Sequence, residues 1–180
     1  MRRRRSKSNP ENSSELPATP EQVRARAFQR AVKLLAAKPR SVAELRERLL
    51  ERSSNKAIVE TVIARLREYG YLDDERYALG YASAKVRQQP IGRRRLQQSL
   101  QLKKVDRAVA DEALDQVFAE TSEEELIDRA IEKRVRLRGR PKTRAEAKSL
   151  FDHLLRQGFP FELASEKVRS ASSTDLDEVD

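Results

Sequence analysis

Residues 69–82 read YGYLDDERYALGYA and mark a break between two helical segments. Gly70 suits the position just after a helix end, where the backbone often turns left-handed. Asp73 or Asp74 suits the N-cap of the next helix, and Glu75 is favourable near the positive end of that helix. The stretch is therefore predicted to join two helical units.

The same acidic triplet has two other interpretations. A divalent-metal site would need its carboxylates to converge, but adjacent side chains at a helix start point in different directions, and the stretch lacks the spacing of an EF-hand. A surface role is compatible with capping, because exposed acidic groups can meet a basic partner. The four tyrosines of the chain, at positions 69, 71, 77 and 81, are all in this stretch.

Helix starts elsewhere are marked by four capping boxes, in which a Ser or Thr precedes a Glu or Gln by three residues. The pairs are Thr19 with Gln22, Ser41 with Glu44, Ser122 with Glu125, and Thr143 with Glu146. Apolar residues spaced three and four apart mark the other helices, and no segment alternates with period two. The predicted fold class is all-α, with nine helices and no strand.

The nine predicted helices form three groups with an internal repeat. The middle helix of each group has two leucines four residues apart: Leu45 and Leu49, Leu96 and Leu100, Leu150 and Leu154. A unit of about 50 residues buries only a modest core, so neighbouring units are predicted to share apolar surface. The predicted architecture is an elongated tandem array of three three-helix repeats, at 19–71, 72–119 and 120–170. A basic arm at 1–18 and an acidic tail at 171–180 are predicted to be disordered.

The charge of the chain is segregated along the sequence. The formal net charge is +9 over 180 residues, which favours an anionic partner. Residues 85–107 hold eight basic residues and one acid, and residues 129–148 hold nine basic residues and two acids. Between them, residues 111–128 hold eight acids and no base. Such a surface suits a long polyanion, or a protein filament whose own charge alternates.

Two basic clusters are the candidate contacts for a partner or for phosphate. The first contains Arg93, Arg94 and Arg95, followed by Lys103 and Lys104, and the second contains Arg134, Arg136, Arg138, Arg140 and Lys142. Neither cluster contains an aromatic residue, so base stacking is not expected, and any contact with nucleic acid is predicted to be to phosphate and insensitive to sequence. A solvated surface is the alternative for both clusters.

Catalytic chemistry has little support in the sequence. The chain has no cysteine and one histidine, His153, which is predicted to be partly exposed on a helix. The five glycines are at least ten residues apart, which excludes a glycine-rich phosphate loop. We expect no enzyme, metal or cofactor, although a carboxylate-based hydrolase stays an alternative. No apolar run could span a bilayer, and a cytoplasmic location is expected. An organellar transit peptide is disfavoured by Glu11 and Glu15.

The stretch YLDDERYALGYA, followed by PIGRRRLQQSL, resembles the central signature of the RecX family of regulatory proteins. The matching residues are Leu72, Asp73, Asp74, Tyr77 and Ala78, then Gly92, Arg95 and Leu100. Upstream, SVAELRERL resembles the family's helix through Ser41, Glu44, Leu45 and Leu49, and downstream LLRQGFPFELA resembles its closing element. The resemblance covers about residues 24–170. The second unit reads LQLKKV, without the glycine often found before that turn, which leaves the local turn shape open.

The resemblance implies tandem three-helix repeats and a non-enzymatic regulator of DNA repair and recombination. Such a protein would bind the RecA–single-stranded DNA filament, in its groove and across neighbouring subunits, and inhibit strand exchange, ATP hydrolysis and co-protease activity. The expected partners are the RecA filament and single- or double-stranded DNA through phosphate contacts, without a membrane or a small-molecule substrate. A monomer is expected. The alternatives are a sequence-independent DNA-binding protein with helix-turn-helix-like units, and a helical scaffold for an unrelated protein.

Overall fold

A computed structural model describes residues 19–53 and 55–172, and this part of the chain contains nine α-helices and no strand. The helices are α1 (Pro20–Ala37), α2 (Val42–Leu50), α3 (Lys56–Glu68), α4 (Asp74–Gln88), α5 (Arg93–Leu102), α6 (Arg107–Glu120), α7 (Glu123–Arg138), α8 (Arg144–Gln157) and α9 (Phe161–Ala171). The predicted all-α class and helix count are confirmed. The arm at 1–18 and the tail from 173 lie outside the described residues, so the predicted disorder of both stays a prediction.

The predicted capping residues start four of these helices. Thr19 and Ser41 form complete capping boxes, in which the N3 side chain also accepts from the N–H of the cap residue. Ser122 and Thr143 each accept the N3 backbone N–H. At the latter helix, the Glu146 carboxylate accepts instead from the N–H of the residue before the cap, at 2.7 Å. Local capping chemistry therefore fixes the helix starts that the sequence indicates.

The ends of α3, α5 and α8 share one turn, in which the chain leaves the helix through a left-handed residue. Gly70 and Gly158 occupy this position with φ of 68° and 91°. In α5 the same position is taken by Lys104, with φ of 56°. The flanking bonds match, since Val105 N–H donates to Leu100 O and Phe159 N–H donates to Leu154 O. The turn at the end of α5, in the sequence LQLKKV, therefore has the same shape as the turns after α3 and α8, although it lacks the glycine that usually favours this shape.

The apolar side chains form two clusters rather than three equal ones. The first unit buries its own cluster between α1, α2 and α3, and Leu72 completes this cluster from the connection to α4. The second and third units bury their side chains in one continuous cluster. The six repeated leucines are all at most 3% exposed. Sharing of apolar surface is therefore strong between the last two units, whereas the first unit has a core of its own.

No helix in the described part of the chain is long and apolar enough to cross a membrane.

Candidate interaction surface

The acidic triplet at the start of α4 caps two helices at once. The Asp73 carboxylate accepts from the backbone N–H groups of Glu75 at 2.9 Å and Arg76 at 3.1 Å, so Asp73 is the N-cap of α4. The Asp74 carboxylate points to the first unit and accepts from Val42 N–H, the first residue of α2, at 2.9 Å. Burial raises the pKa of Asp74 above its ordinary value. The described residues contain no group of three or more His, Cys, Asp or Glu side chains that could hold a metal ion.

A polar network completes the joint between the first and second units. Ser41 is fully buried, and its hydroxyl donates to the Lys103 carbonyl at 2.6 Å. Glu44 accepts from Lys103 Nζ at 2.8 Å and from the Tyr77 hydroxyl at 3.2 Å. A network whose polar atoms are satisfied inside a low-dielectric joint fixes one relative arrangement of its elements. The signature residues Asp74 and Tyr77 therefore act mainly as connectors between units.

Glu44 titration is expected to affect stability in acid. Burial acts to raise its pKa, but hydrogen bonds from Lys103, Ser41 and Tyr77 and the Lys103 charge lower the pKa below its ordinary value of 4.5. The stabilisation is thus fully present above the ordinary pKa and is lost as the pH falls through the lowered value. Glu44→Gln should lower the free energy of unfolding by about 1–2 kcal/mol at pH 7.

Urea denaturation of wild type and Glu44→Gln at pH 7 and in acid would test this effect. The difference in the free energy of unfolding between wild type and Glu44→Gln should shrink in acid. Asp74 changes the stability of both proteins in the opposite sense, so comparing them at each pH removes its contribution. A deficit independent of pH would contradict a role for the Glu44 charge. Glu51→Gln is the matched control, because Glu51 forms only an exposed pair with Arg48 within the described residues.

The second and third units meet in a joint built on two glycines. Gly92 N–H donates to Gln157 O at 2.9 Å, which brings the start of α5 onto the end of α8. A Cβ built on Gly92 would lie 2.4 Å from the Gly158 carbonyl carbon, and one built on Gly158 would lie 2.4 Å from Arg95 N. Neither contact tolerates a side chain. The Glu123 carboxylate accepts from Arg93 N–H at 2.8 Å and caps α5 from the third unit.

The two joints follow the same plan. In each, an acidic residue that begins the first helix of the next unit, Asp74 or Glu123, accepts the first N–H of the preceding middle helix. In each, the N-cap of that middle helix also bonds a carbonyl at the C-terminal end of the next middle helix. A carboxylate at a helix N-terminus satisfies an unpaired N–H and the positive end of the helix dipole. The role of Glu123 was missed, although its position after a cap residue matches that of Asp74 in the repeat.

Most of the first basic cluster takes part in these joints. Arg93 pairs with Asp115 at 2.6 Å, and Arg95 donates to the Arg156 carbonyl at 2.9 Å. Lys103 pairs with Glu44 at 2.8 Å, and Lys104 pairs with Glu47. Arg94 and Arg95 are both exposed and form no ion pair with the described residues, and Arg94 also makes no side-chain hydrogen bond there. Four of the five basic residues thus have partners inside the protein, which explains their clustering without an external partner. Their contact with a partner stays a prediction.

The second basic cluster is more accessible. Arg134 is half-buried and donates to Ser149 Oγ at 3.1 Å. Burial lowers its pKa, and the charges of Arg138 and Arg156 lower it further. The other four members, at positions 136, 138, 140 and 142, are exposed, and none forms an ion pair with the described residues. We call these four residues the α7 basic surface.

His153 lies where the two clusters approach each other. Burial lowers its pKa, as do the charges of Arg134, Arg156, Arg95 and Arg138 in that order. The histidine is half-buried on α8, as predicted. Its neighbours come from α5, α7 and α8, so the fold gathers basic residues that are up to 61 positions apart, as Arg95 and Arg156 are.

The fold also assembles a groove between the first and second units that the linear clusters did not reveal. Its volume is about 720 Å³. Its walls carry three tyrosines and five basic residues, namely Tyr71, Tyr77, Tyr81, Lys38, Arg40, Arg76, Lys85 and Lys103. We call it the inter-unit groove. Because the basic residues come from the connection between α1 and α2, from α4 and from the residue after α5, no single stretch of sequence shows the combination.

Two family models match the chain, "RecX, first three-helix domain" at residues 27–66 and "RecX, second three-helix domain" at residues 73–114. The regulatory protein RecX of Thermobifida fusca is 30% identical over 165 residues, covering 91% of this chain and 88% of that protein. The chain belongs to the RecX family. The RecX of Treponema pallidum strain Nichols is 39% identical over 109 residues, which cover 61% of this chain and 66% of that relative.

Two solved RecX structures share the fold. The RecX of Lactobacillus salivarius superimposes with a TM-score of 0.74 at 17% identity, covering 84% of this chain and 97% of that chain. A second RecX crystal structure gives a TM-score of 0.72 at 23% identity, with coverage of 83% and 73%. The two matched domain models lie within the predicted first and second units. The relatives are named regulatory proteins, which agrees with the resemblance read from the signature.

Proposed function

We propose that this chain is a non-enzymatic regulator that binds the RecA–single-stranded DNA filament in the cytoplasm. Binding inhibits strand exchange, ATP hydrolysis and co-protease activity, and so regulates DNA repair and recombination. The observation that carries the proposal is membership of the RecX family over nearly the whole chain. The residues of the family signature also make the contacts between successive units. Binding of one chain across several filament protomers depends on this assembly of units.

The arrangement of charge supports a mechanism based on occupancy. The α7 basic surface is exposed, and five acids between Glu112 and Glu125 are exposed as well. A filament repeats the same protomer, so several units of one bound chain can contact successive protomers. Weak contacts on linked units then add through a raised effective concentration. Occupying the filament in this way blocks its extension without any bond being made or broken.

A direct DNA-binding protein is the second candidate. The α7 basic surface favours it, because four exposed cations that form no ion pair with the described residues suit a row of phosphates. Such binding would be insensitive to sequence and steeply dependent on salt. The two candidate functions differ in binding affinity, because a filament regulator binds the RecA-coated strand more tightly and a direct DNA-binding protein binds bare DNA more tightly.

Co-sedimentation with preformed RecA filaments, with bare duplex DNA as the second ligand, tests the proposal. The triple variant Arg136→Glu, Arg138→Glu, Arg140→Glu should weaken filament binding by about tenfold or more, because it reverses three exposed charges without breaking an ion pair to any residue within 19–53 or 55–172. The matched control Arg24→Glu, Arg26→Glu, Lys33→Glu reverses three exposed charges on α1. Its binding should change much less.

Two outcomes would contradict the proposal. One is wild-type protein that stays in the supernatant with filaments, and the other is a higher affinity for bare duplex than for the filament at every salt concentration. Equal effects of the two triple variants would show that net charge alone governs binding.

A further inference from the structure

The inter-unit groove combines flat aromatic rings with five basic side chains, of which only Lys103 forms an ion pair with a described residue. Tyr77 and Tyr81 stack with ring centroids 6.1 Å apart, and Lys85 Nζ lies 5.7 Å from the Tyr81 centroid. These three residues are four apart on α4 and form one stripe along the groove wall. Tyr71 precedes α4 in the chain, two residues before its N-cap Asp73, and is 64% exposed. The Tyr71 ring contacts Tyr69 edge to face, with ring centroids 6.3 Å apart, and most of it remains accessible to solvent.

The cations of the groove are only partly used within the protein. Lys103 pairs with Glu44, and Arg76 donates to the Gly70 carbonyl. Lys38, Arg40 and Lys85 form no ion pair with any described residue. The Arg40 Nε is buried without a hydrogen-bond partner among the described residues, but so is the Arg30 Nε outside the groove. The two lysines, Lys38 and Lys85, are therefore the cations that favour an anion in the groove.

Gly80 is the third feature of the groove, and the fold does not require it. It lies inside α4, where glycine is less favourable than alanine because of its backbone entropy. A Cβ built on Gly80 would meet no atom within 4 Å, so no packing contact explains the glycine. Its bare backbone instead leaves open space beside the tyrosine stripe. A ligand that approaches α4 closely would account for this space.

We infer that the inter-unit groove binds a short segment of single-stranded DNA. Bases stack on Tyr71 and Tyr81, while Lys38, Arg40 and Lys85 contact the phosphates. Stacking surfaces alternating with cations are typical of sites for single strands, because every base has a flat face and every linkage has a charge. A duplex is disfavoured, since its bases are already stacked on each other. This site lies apart from the α7 basic surface, and it would add base contacts to the phosphate contacts expected from the sequence.

Tyrosine fluorescence offers a direct readout, since the chain has no tryptophan and its four tyrosines are all between 69 and 81. Full-length protein is titrated with an oligothymidylate and, separately, with an abasic oligonucleotide of equal length. Stacking predicts quenching by the first, after correction for absorption, and about tenfold weaker binding of the second. Neither measurement contains RecA, so failure here is distinguishable from failure of the proposed function.

Variants locate the site by fluorescence anisotropy of a labelled oligothymidylate. Gly80→Leu should fill the open space and weaken binding about tenfold while leaving the helical signal unchanged, and Tyr71→Ala should weaken it to a similar degree. Lys38→Gln with Lys85→Gln should reduce the slope of log affinity against log salt by about 1.4, from about 0.7 for each lost phosphate contact. The control pair Lys33→Gln with Lys56→Gln removes the same charge from exposed positions outside the groove.

Several results would overturn the inference. Unquenched tyrosine fluorescence at saturating oligonucleotide, equal affinity for the abasic strand, or full binding by Gly80→Leu would each exclude base stacking in the groove. Displacement of the oligonucleotide by polyglutamate at equal charge concentration would identify the groove as a site for acidic protein segments instead. Quenching by thymidine nucleotide alone, without binding of the strand, would limit the site to mononucleotides and would also overturn it.

Discussion

Gly92→Ala is expected to destabilise the protein by about 2–4 kcal/mol, because the new methyl group would overlap the backbone at Gly158. Backbone atoms of two helix ends are held there by the bond from Gly92 N–H to Gln157 O, so neither end can move without losing that bond. Helix starts and ends also tolerate little displacement when the core beneath them is close-packed. Thermal and urea unfolding monitored by circular dichroism would measure the loss.

Gly80→Ala is the matched control for this prediction. It adds the same methyl group to a glycine of the second unit, but into open space, and should raise stability by about 0.5–1 kcal/mol. Opposite signs for the two substitutions would show that the approach of α5 to α8 requires Gly92. If Gly92→Ala were neutral, the joint would be looser than the structure describes.

Leu100→Ala is expected to cost about 2–5 kcal/mol, because Leu100 is fully buried in the cluster that the second and third units share. Both units should lose stability together, since the cavity opens in one continuous core. Leu45→Ala should act on the first unit, whose cluster is separate. Hydrogen exchange resolved along the chain distinguishes these patterns.

Leu102→Ala provides the control on the same helix, because Leu102 is 82% exposed. Its effect should stay within about 0.5 kcal/mol. If Leu100→Ala reduced protection in the second unit but left α8 and α9 unchanged, the continuous core would be contradicted.

The local features of the fold could be predicted from the sequence because their causes are local. Capping at Ser41 and Thr143 depends on residues three positions away, and the leucine pairs follow the helical period. The repeat then suggested three units from spacing alone. The unequal sharing of core between them could not be predicted, because it depends on how α4 to α9 pack together and not on the pattern within any single helix.

The joints and the groove were less accessible to sequence reasoning, because their partners are distant in the chain. Asp74 was placed at a helix start, but its bond to Val42 spans 32 residues. The sequence shows Arg93 and Arg95 only as part of a basic cluster, whereas in the fold Arg93 pairs with Asp115 and Arg95 donates to a carbonyl at the end of α8. A basic residue that pairs internally and one that faces solvent have the same letter in a sequence, and the fold alone separates them.

The signature of the RecX family gains a physical explanation from these contacts. Leu72 completes the first core, Asp73 caps α4, and Asp74 and Tyr77 reach back to α2. Gly92 permits the close contact of α5 with α8. The motif thus maintains the register of successive units.

RecA-catalysed ATP hydrolysis on single-stranded DNA, titrated with the full chain, tests the proposed function most directly. The rate should fall progressively as the protein approaches stoichiometry with RecA, and the Arg136→Glu, Arg138→Glu, Arg140→Glu variant should need about tenfold more protein for the same effect. An unchanged rate at equimolar protein, with the chain shown to be folded, would contradict regulation of the filament.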